Sequence, residues 1–437
     1  MRYCVVFLLF CVLPHAFSQS AQQPNIVLIS VDTLRADHLS AYGYPRKTSP
    51  HIDQLLAAGR RFDQAYTVEP LTAPACTSML TGRYPHEHGA TRNGVPMLTN
   101  LISLPKLLEK KGYDTAAFVS NWTLRTSLVG LAEHFQHYGE VFTRKRWFGL
   151  MMGEATGEDI TDQGLAWISD RKKPFFLWLH YSEPHAPYRF QATFAQAWGL
   201  KNREAATRID RYDSEIAFCD AQIGRFLAGL TPVSAPENTL ILFVADHGEC
   251  LGENQYWGHG RHLYEGNLRI PMGITWAGRI PAGVATEPAS LIDLPRTVLG
   301  LLAYPQPDHL AGFDWTAVLL GKGTADASRA LYFQAHKGAV QSQKAAERGR
   351  RRGLLEVGRL QNHIKESWRV RSKKIRRFNL AEDPREQTNL ADARAKLQPE
   401  TAAWALEVEQ GLQQVNEQEL IMSQEDLEMM RSLGYID

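Results

Sequence analysis

Four strand patterns separated by helical segments constrain the fold of this chain most strongly. The first, NIVLISVD (25–32), is a continuous apolar run that ends in a carboxylate, as is typical of strands buried in a parallel sheet. The pattern recurs in DTAAFVS, KPFFLWLHYS and NTLILFVADHG, while segments such as HIDQLLAAGRRF and ISLPKLLEKKGY have helical periodicity. This alternation predicts an α/β fold with a doubly wound, mainly parallel sheet and helices on both faces.

The carboxyl ends of the predicted strands indicate where the chemistry lies. Asp32, His180 and Asp246 stand at those ends, where ligand groups gather in doubly wound sheets. His247 follows directly, and Thr72 lies in LTAPACTSMLTGRYPHEHG, a short stretch that also holds a thiol and two histidines. Two carboxylates, an imidazole and a hydroxyl suit one divalent metal ion, with Zn or Mn favoured and Ca still open.

The N-terminus has the features of an export signal. Arg2 precedes the apolar run YCVVFLLFCVLP, and small residues near Ser18 offer a cleavage site. The run is shorter than the about 20 apolar residues that span a bilayer, so we expect a periplasmic or secreted protein without stable membrane insertion. A retained anchor is the alternative. We assign 1–18 to the signal, 21–320 to the catalytic α/β domain and 321–437 to a smaller C-terminal α+β subdomain with a helical tail.

The net charge limits the kinds of partner that are expected, and the cysteine content limits the number of disulfides. Lys+Arg 48 against Asp+Glu 47 gives a net charge of +1, so no nucleic-acid partner is expected. Beyond the signal the cysteines are Cys76, Cys219 and Cys250, an odd number that allows at most one disulfide. We expect buried free thiols instead.

Ordered motifs along nearly the whole mature chain resemble the sulfatase family, within the alkaline-phosphatase-like superfamily. They run from PNIVLISVDTLRADHLSAYGYPRKTSP through TAPACTSMLTGRYPHEHG, YSEPHAPY and DHGECLGENQYWGHGRHLYEGNLRIP to FNLAEDPREQTNLA and RSLGYID. The resemblance implies a metal-dependent ester hydrolase with Asp32, Asp246 and His247 among its metal ligands. It also implies a pocket histidine at His185. His259 lies near a later pocket position, with a surface-loop histidine as the alternative.

The residue at the nucleophile position departs from the family pattern. Sulfatases carry Cys-x-Pro-x-Arg before Leu-Thr-Gly-Arg, and that cysteine becomes formylglycine. Anchored on the Thr-Gly-Arg that ends at Arg83, the cysteine position falls on Thr72 and the arginine position on Cys76. No formylglycine is therefore expected. The resemblance instead implies a metal-bound Thr72 nucleophile, as in phosphotransferases and phosphodiesterases of the superfamily, with Arg83 supporting the turn.

The substrate-holding groups differ as well. Where sulfatases continue with Gly-Lys-Trp-His, this chain has VSNWTL after GYDTAAF, so Asn121 is expected to replace the missing donors. Asn121, His185 and His259 are then the predicted substrate contacts. Either histidine would protonate the leaving oxygen or stabilise charge on the transferred group.

These features predict an exported, metal-dependent hydrolase that cleaves phosphate or sulfate esters of a small molecule or glycan through Thr72. A phospho-threonine can be cleared by a second in-line attack, whereas a sulfo-threonine lacks the collapse available to a hydrated aldehyde, so phosphate is favoured. A single metal is expected, because SEPHAPYRF supplies no Asp-x-x-x-His set. Two alternatives stay open: a phosphotransferase acting on a cell-envelope glycan or lipid, and an inactive, glycan-binding pseudo-sulfatase.

Overall fold

The computed structural model describes residues 23–146, 151–338, 353–415 and 428, with the side chains of 143–154 left out. The predicted export signal, the motif RSLGYID and, apart from residue 428, the part of the predicted helical tail after residue 415 lie outside the described residues.

The main sheet forms from the predicted strands and several shorter ones. Its strands are β1 (Asn25–Val31), β2 (Arg60–Tyr66), β3 (Asp114–Val119), β4 (His137–Glu140), β7 (Phe175–Tyr181), β8 (Thr239–Ala245), β11 (Arg269–Thr275), β12 (Gly283–Ala285) and β13 (Ala289–Ser290). Two small hairpins are β5 (Phe142–Arg146) with β6 (Met151–Glu154), and β9 (Cys250–Leu251) with β10 (Trp257–Gly258).

The strand order of the main sheet is β12-β2-β11-β8-β1-β7-β3-β4, with β13 also paired to β2. The central strand β1 runs parallel to β7 and β8, so that Val31 lies opposite both Tyr181 and Ala245. β11 is antiparallel to its neighbours β8 and β2, and the other pairs in this sheet are parallel. The predicted doubly wound, mainly parallel sheet is therefore confirmed.

Burial explains why the apolar runs form the centre of the sheet. Every residue of β1 and of β7 is buried, because helices cover both faces. The helix predicted over HIDQLLAAGRRF is shorter in the structure. It ends at Ala57, and β2 begins at Arg60. At Gly59 a Cβ atom would lie 2.4 Å from the Ile274 carbonyl oxygen, so only glycine allows the chain to pass β11 this closely.

The helices pack in groups against the sheet. They are α1 (Pro50–Ala57), α2 (Thr72–Thr81), α3 (Pro85–His88), α4 (Leu104–Glu109), α5 (Thr126–Val129), α6 (Gly157–Ile168), α7 (Ala192–Ala195), α8 (Arg208–Leu230), α9 (Glu265–Leu268), α10 (Asp293–Leu301), α11 (Thr316–Leu319) and α12 (Pro399–Gln414). α1 and α6 pack on α8, whereas α4 and α10 pack on α2. No helix within the described ranges is long and apolar enough to cross a bilayer.

A second, antiparallel sheet follows the main one. It consists of β14 (Leu331–His336), β15 (Leu354–Gln361), β16 (Ile364–Arg369) and β17 (Lys374–Asn379), paired in chain order, with α12 packed on β15. Val357, Trp404 and Val408 lie in the apolar core between α12 and this sheet. The expected α+β character of the C-terminal part is confirmed, whereas its boundary at residue 320 stays a prediction.

Candidate active site

Two carboxylates meet beyond the ends of adjacent central strands. Asp32 follows β1, and its backbone N–H donates to the Tyr181 carbonyl at 2.9 Å. Asp246 follows β8, and its N–H donates to the Val31 carbonyl at 3.4 Å. Both side chains are fully buried. The parallel register therefore brings together two acids that are far apart in the sequence.

His247 joins these carboxylates to Thr72. Its Nδ1 hydrogen bonds to the Gly248 carbonyl at 2.9 Å, so Nδ1 carries the proton and Nε2 is the acceptor. Nε2 lies 3.3 Å from Thr72 Oγ1, 3.7 Å from Asp32 Oδ1 and 3.6 Å from Asp246 Oδ2. The structure thus brings all four predicted metal ligands to one point.

The helix α2 presents Thr72 from its first residue. Leu71, the N-cap residue, has no side-chain hydrogen bond to the helix, but Asn93 Oδ1 accepts from the Ala73 backbone N–H at 3.0 Å. The N-terminus of a helix carries partial positive charge, which favours an anion beside it. The Thr72 hydroxyl therefore lies where an ionised oxygen and an anionic ester are both stabilised.

The donor set fits a divalent cation. Asp246 Oδ1 accepts from the backbone N–H groups of Thr33 and His247, at 3.2 and 2.7 Å. Its Oδ2 is buried and has no hydrogen-bond partner within the described parts of the chain. Burial raises the pKa of Asp246 to about 8, and burial followed by the nearby His259 lowers the pKa of His247. Carboxylate, imidazole and hydroxyl groups are ligands for Zn or Mn, and a cation at these atoms would offset the cost of burying the carboxylates.

Two further histidines lie beside this cluster, as predicted for a substrate pocket. The His259 ring centroid is 4.6 Å from that of His247 and 5.2 Å from that of His185. The His259 side chain is only 6% exposed, so the surface-loop alternative is wrong. His185 Nδ1 hydrogen bonds to the Ala186 carbonyl at 2.6 Å, and burial, then His259, lowers the pKa of His185 to about 3. His185 is therefore neutral, with Nε2 as its acceptor nitrogen.

Glu249 is a site residue that the sequence analysis missed. It is buried, its Oε1 lies 3.1 Å from His259 Nδ1, and its Oε2 accepts a short hydrogen bond from the Tyr188 hydroxyl. Burial alone would raise the pKa of Glu249, but the hydrogen bond and charge of His259 outweigh burial and lower it. Its position two residues after His247 in DHGE was the available signal.

Asn121 lies beside the cluster, whereas Arg83 lies farther along the chain from it. Asn121 is fully buried, its Nδ2 donates to Asp32 Oδ2, and its Oδ1 accepts from the backbone and hydroxyl of Thr123 at 2.8 and 2.6 Å. These contacts orient Asp32, and a role for Asn121 toward substrate stays a prediction. Arg83 follows the C-cap of α2 and lies roughly 15 Å from Thr72, at about 1.5 Å per helical residue. The structure does not bring Arg83 to the cluster.

The fold and the cluster together define a hydrolase of the alkaline-phosphatase-like type. The family model described as Sulfatase matches residues 24–304, more than half of the chain, and the protein belongs to this family. It is 29% identical over 364 residues to N-acetylgalactosamine-6-sulfatase of Canis lupus familiaris. That alignment covers 70% of this chain and 67% of the relative. It is 24% identical over 475 residues to N-acetylglucosamine-6-O-sulfatase of Bacteroides thetaiotaomicron, with coverages of 85% and 83%.

Solved structures share the fold over most of their length. Phosphonate monoester hydrolase of Agrobacterium radiobacter matches with a TM-score of 0.70 and 21% identity, over 91% of this chain and 97% of that one. The structure of BT4656 in complex with its substrate D-glucosamine-2-N,6-O-disulfate matches with a TM-score of 0.68 and 20% identity. The match covers 90% of this chain and 97% of that one. The protein is thus a sulfatase-family hydrolase with the fold of that superfamily.

Proposed function

We propose that this protein is an exported, metal-dependent hydrolase that cleaves phosphate or sulfate esters with Thr72 as the nucleophile. The observation that carries the proposal is the approach of Thr72 Oγ1 to His247 Nε2, at 3.3 Å, beside two buried carboxylates. One divalent cation would be held by Asp32, Thr72, Asp246 and His247. When bound, such a cation lowers the pKa of a hydroxyl and offsets charge on the transferred group.

The chain's own groups support an in-line displacement. Thr72 loses its hydroxyl proton to solvent, Oγ1 attacks the phosphorus or sulfur, and the bond to the alcohol oxygen breaks. His259 is the better proton donor to that oxygen, because Glu249 accepts from its Nδ1 and offsets positive charge on the ring. Water then attacks the Thr72 ester and releases the hydroxyl with phosphate or sulfate. His185, kept neutral by burial, accepts a hydrogen bond from a substrate or water hydroxyl through Nε2.

The substrate class rests on the threonine and on the relatives. A phospho-threonine is cleared by a second in-line attack, which favours phosphate esters over sulfate esters. The relatives named for N-acetylhexosamine 6-sulfates favour a glycan or another sugar-like alcohol as the leaving group. An acceptor alcohol in place of water would give the phosphotransferase alternative with the same residues.

A substrate panel on reconstituted protein tests the proposal. Purified protein loaded with Zn, Mn or Ca is assayed with nitrophenyl phosphate, bis-nitrophenyl phosphate and nitrophenyl sulfate. We expect Zn or Mn to support cleavage of at least one phosphate ester, and Thr72→Ala to lower kcat by roughly 10³-fold or more. Thr81→Ala, a buried threonine at the other end of α2, is the matched control and should keep wild-type activity.

Three results would contradict the proposal. Equal kcat for Thr72→Ala and wild type would exclude Thr72 as the nucleophile. A wild-type protein that binds no cation and cleaves none of the three esters, yet binds sulfated glycans, would favour the pseudo-sulfatase. Recovery of the protein from the cytoplasmic fraction of the producing cell, with residues 1–18 still attached, would argue against export.

A further inference from the structure

A second group of ligand side chains lies beside the Thr72 cluster and shares Asp246 with it, whereas its other two members have no part in the displacement. One ligand atom from each of Cys76, His180 and Asp246 lies within 4.8 Å of the other two. All three residues are fully buried. Cys76 stands one turn after Thr72 on α2, His180 is near the end of β7, and Asp246 follows β8. Three separate elements therefore direct a thiol, an imidazole and a carboxylate to one point.

The imidazole of this group is held by a defined hydrogen-bond chain. His180 Nδ1 lies 2.8 Å from Ser30 Oγ, and the same oxygen accepts from the Trp178 indole N–H at 2.8 Å. Ser30 Oγ can accept from His180 Nδ1 as well as from the indole, and in the tautomer that makes this bond the lone pair of His180 is on Nε2. Such hydrogen bonds from the other ring nitrogen are what orient metal-binding histidines.

The atoms that face the group lack other partners. His180 Nε2 is buried with no hydrogen-bond partner in the described part of the molecule, and the same holds for Asp246 Oδ2. Cys76 is a free thiol. An unpaired buried polar atom is costly, and here two of them adjoin a thiol without bonding to each other. A cation between them would satisfy all three at once.

We propose that Cys76, His180 and Asp246 form a second cation site, which takes zinc or another divalent ion that binds thiolate. Sulfur and imidazole nitrogen with one carboxylate oxygen is a zinc donor set, and thiolate disfavours Ca and Mg. On binding, the Cys76 S–H bond breaks, the sulfur–metal bond forms and the proton leaves to solvent. Asp246 would bridge this ion and the one in the Thr72 cluster, without requiring Thr72 to be the nucleophile.

The second ion would tie the nucleophile helix to the sheet. It would link α2 through Cys76 to β7 and to the loop after β8. The ion would also hold the Asp246 carboxylate, whose Oδ2 has no hydrogen-bond partner in the described part of the chain. Its removal should therefore loosen α2 and lower the thermal stability of the whole chain.

Cobalt loading of the full-length chain tests this site separately from the first. The protein is stripped with a chelator and reloaded with Co²⁺, cobalt per chain is measured by mass spectrometry, and the near-ultraviolet thiolate-to-cobalt band is recorded. Wild type should bind about two cobalt ions and show the band, as expected for adjacent sites that share a carboxylate. Cys76→Ser should bind about one ion and lose the band. His180→Gln serves as a second variant if Cys76→Ser does not fold.

Matched variants separate the possible outcomes. Cys250→Ser removes another fully buried thiol and should still bind both ions and show the band. Asp32→Asn should weaken the binding of the ion in the Thr72 cluster alone. If wild type bound one cobalt ion per chain and showed no thiolate band, the second site would be excluded and the first would remain supported. One ion with the band would support the second site and count against the first. No bound cobalt, or an unchanged band in Cys76→Ser, would also overturn this inference.

Discussion

Glu249 shows how one buried side chain completes the site. Its two carboxylate oxygens contact His259 and Tyr188, and its pKa is lowered although burial alone would raise it. A carboxylate in this position holds the imidazole in one tautomer and offsets the charge that the ring acquires as a general acid. Glu249 is therefore a positioning residue for His259.

Glu249→Gln should keep the fold and lower kcat by about 10²- to 10⁴-fold, the usual range for a lost general acid–base contribution. The amide can still accept from His259 Nδ1 but carries no charge, so the acidic limb of the pH–rate profile should also move. Tyr188→Phe removes a hydrogen bond to the same carboxylate and keeps its charge, so its kcat should change by less than about 10-fold. An unaltered pH profile in Glu249→Gln would contradict the assigned role.

The sequence predicted the residues of the Thr72 cluster but fewer of the groups that orient them. Asp32, Asp246 and His247 could be predicted, because parallel strands place their carboxyl ends at one edge. Glu249 was missed, because only its position two residues after His247 singles it out, and its contact with His259 joins two segments without a periodic pattern. The hydrogen bond from the Asn121 amide to Asp32 was not predicted, and the expected contact of Asn121 with substrate stays a prediction.

At the scale of elements, the start of α2 depends on a side chain from a later loop. Asn93 Oδ1 accepts from the Ala73 N–H, one of the first-turn donors that a helix cannot satisfy itself. Asn93→Ala should lower the free energy of unfolding by about 1–2 kcal/mol. It should also lower kcat more than it raises KM, because Thr72 is the adjoining residue. Steady-state kinetics with urea unfolding measures both effects.

A second helix cap provides the matched control. Thr207 Oγ1 accepts from the Asp210 N–H at 3.1 Å and caps α8. Thr207→Ala should cost a similar free energy of unfolding and leave kcat unchanged. If Asn93→Ala and Thr207→Ala altered kcat alike, the Asn93 contact would have no specific part in placing the nucleophile.

The buried central strands were predictable, whereas the short edge strands were not. β1, β7 and β8 are seven-residue apolar runs, and burial on both faces produces that pattern directly. The edge strands β12 and β13 have only three and two residues, too few for any periodicity. The step from α1 to β2 was missed because it depends on the close approach of Gly59 to β11, a contact distant in sequence.

At the scale of the whole molecule, a buried charge cluster makes the second sheet sensitive to acid. Glu356 on β15 is fully buried and forms ion pairs with Arg376 and with Arg369, the latter at 3.3 Å. Burial alone would raise the pKa of Glu356. His262, whose Nδ1 lies 3.8 Å from Glu356 Oε2, and the arginine charges outweigh burial and lower the pKa to about 2. The ionised form is thus favoured in the folded state.

The sign of the pH dependence follows from that shift. Because the folded-state pKa is below the unfolded value, the stabilisation is present above about pH 4.5 and is lost as pH falls toward about 2. Glu356→Gln should lower the free energy of unfolding by about 3 kcal/mol at neutral pH, with the difference from wild type shrinking below about pH 4. Urea unfolding at several pH values measures it, and a constant difference would contradict the assignment.

The second sheet also holds the segment that leads into Thr72. His336 on β14 donates through its backbone N–H to Glu69 Oε1 at 2.8 Å, and its Nδ1 lies 3.0 Å from Oε2. Both side chains are fully buried, and Glu69 precedes Thr72 by three residues. The Gln334 N–H donates to the Val68 carbonyl at 3.0 Å, so β14 holds this segment at two successive points.

His336→Ala should therefore affect both stability and catalysis. The buried Glu69 carboxyl would lose a partner, which costs about 2–4 kcal/mol, and the freed segment should lower kcat by about 10-fold. His336→Asn, whose amide can donate from near the position of Nδ1, should restore most of both quantities. His363→Ala, at an exposed turn of the same sheet, should change neither. If His336→Ala lost stability and kept wild-type kcat, the second sheet would support the fold without positioning Thr72, because the Glu69 contact is the route through which β14 would act on the nucleophile.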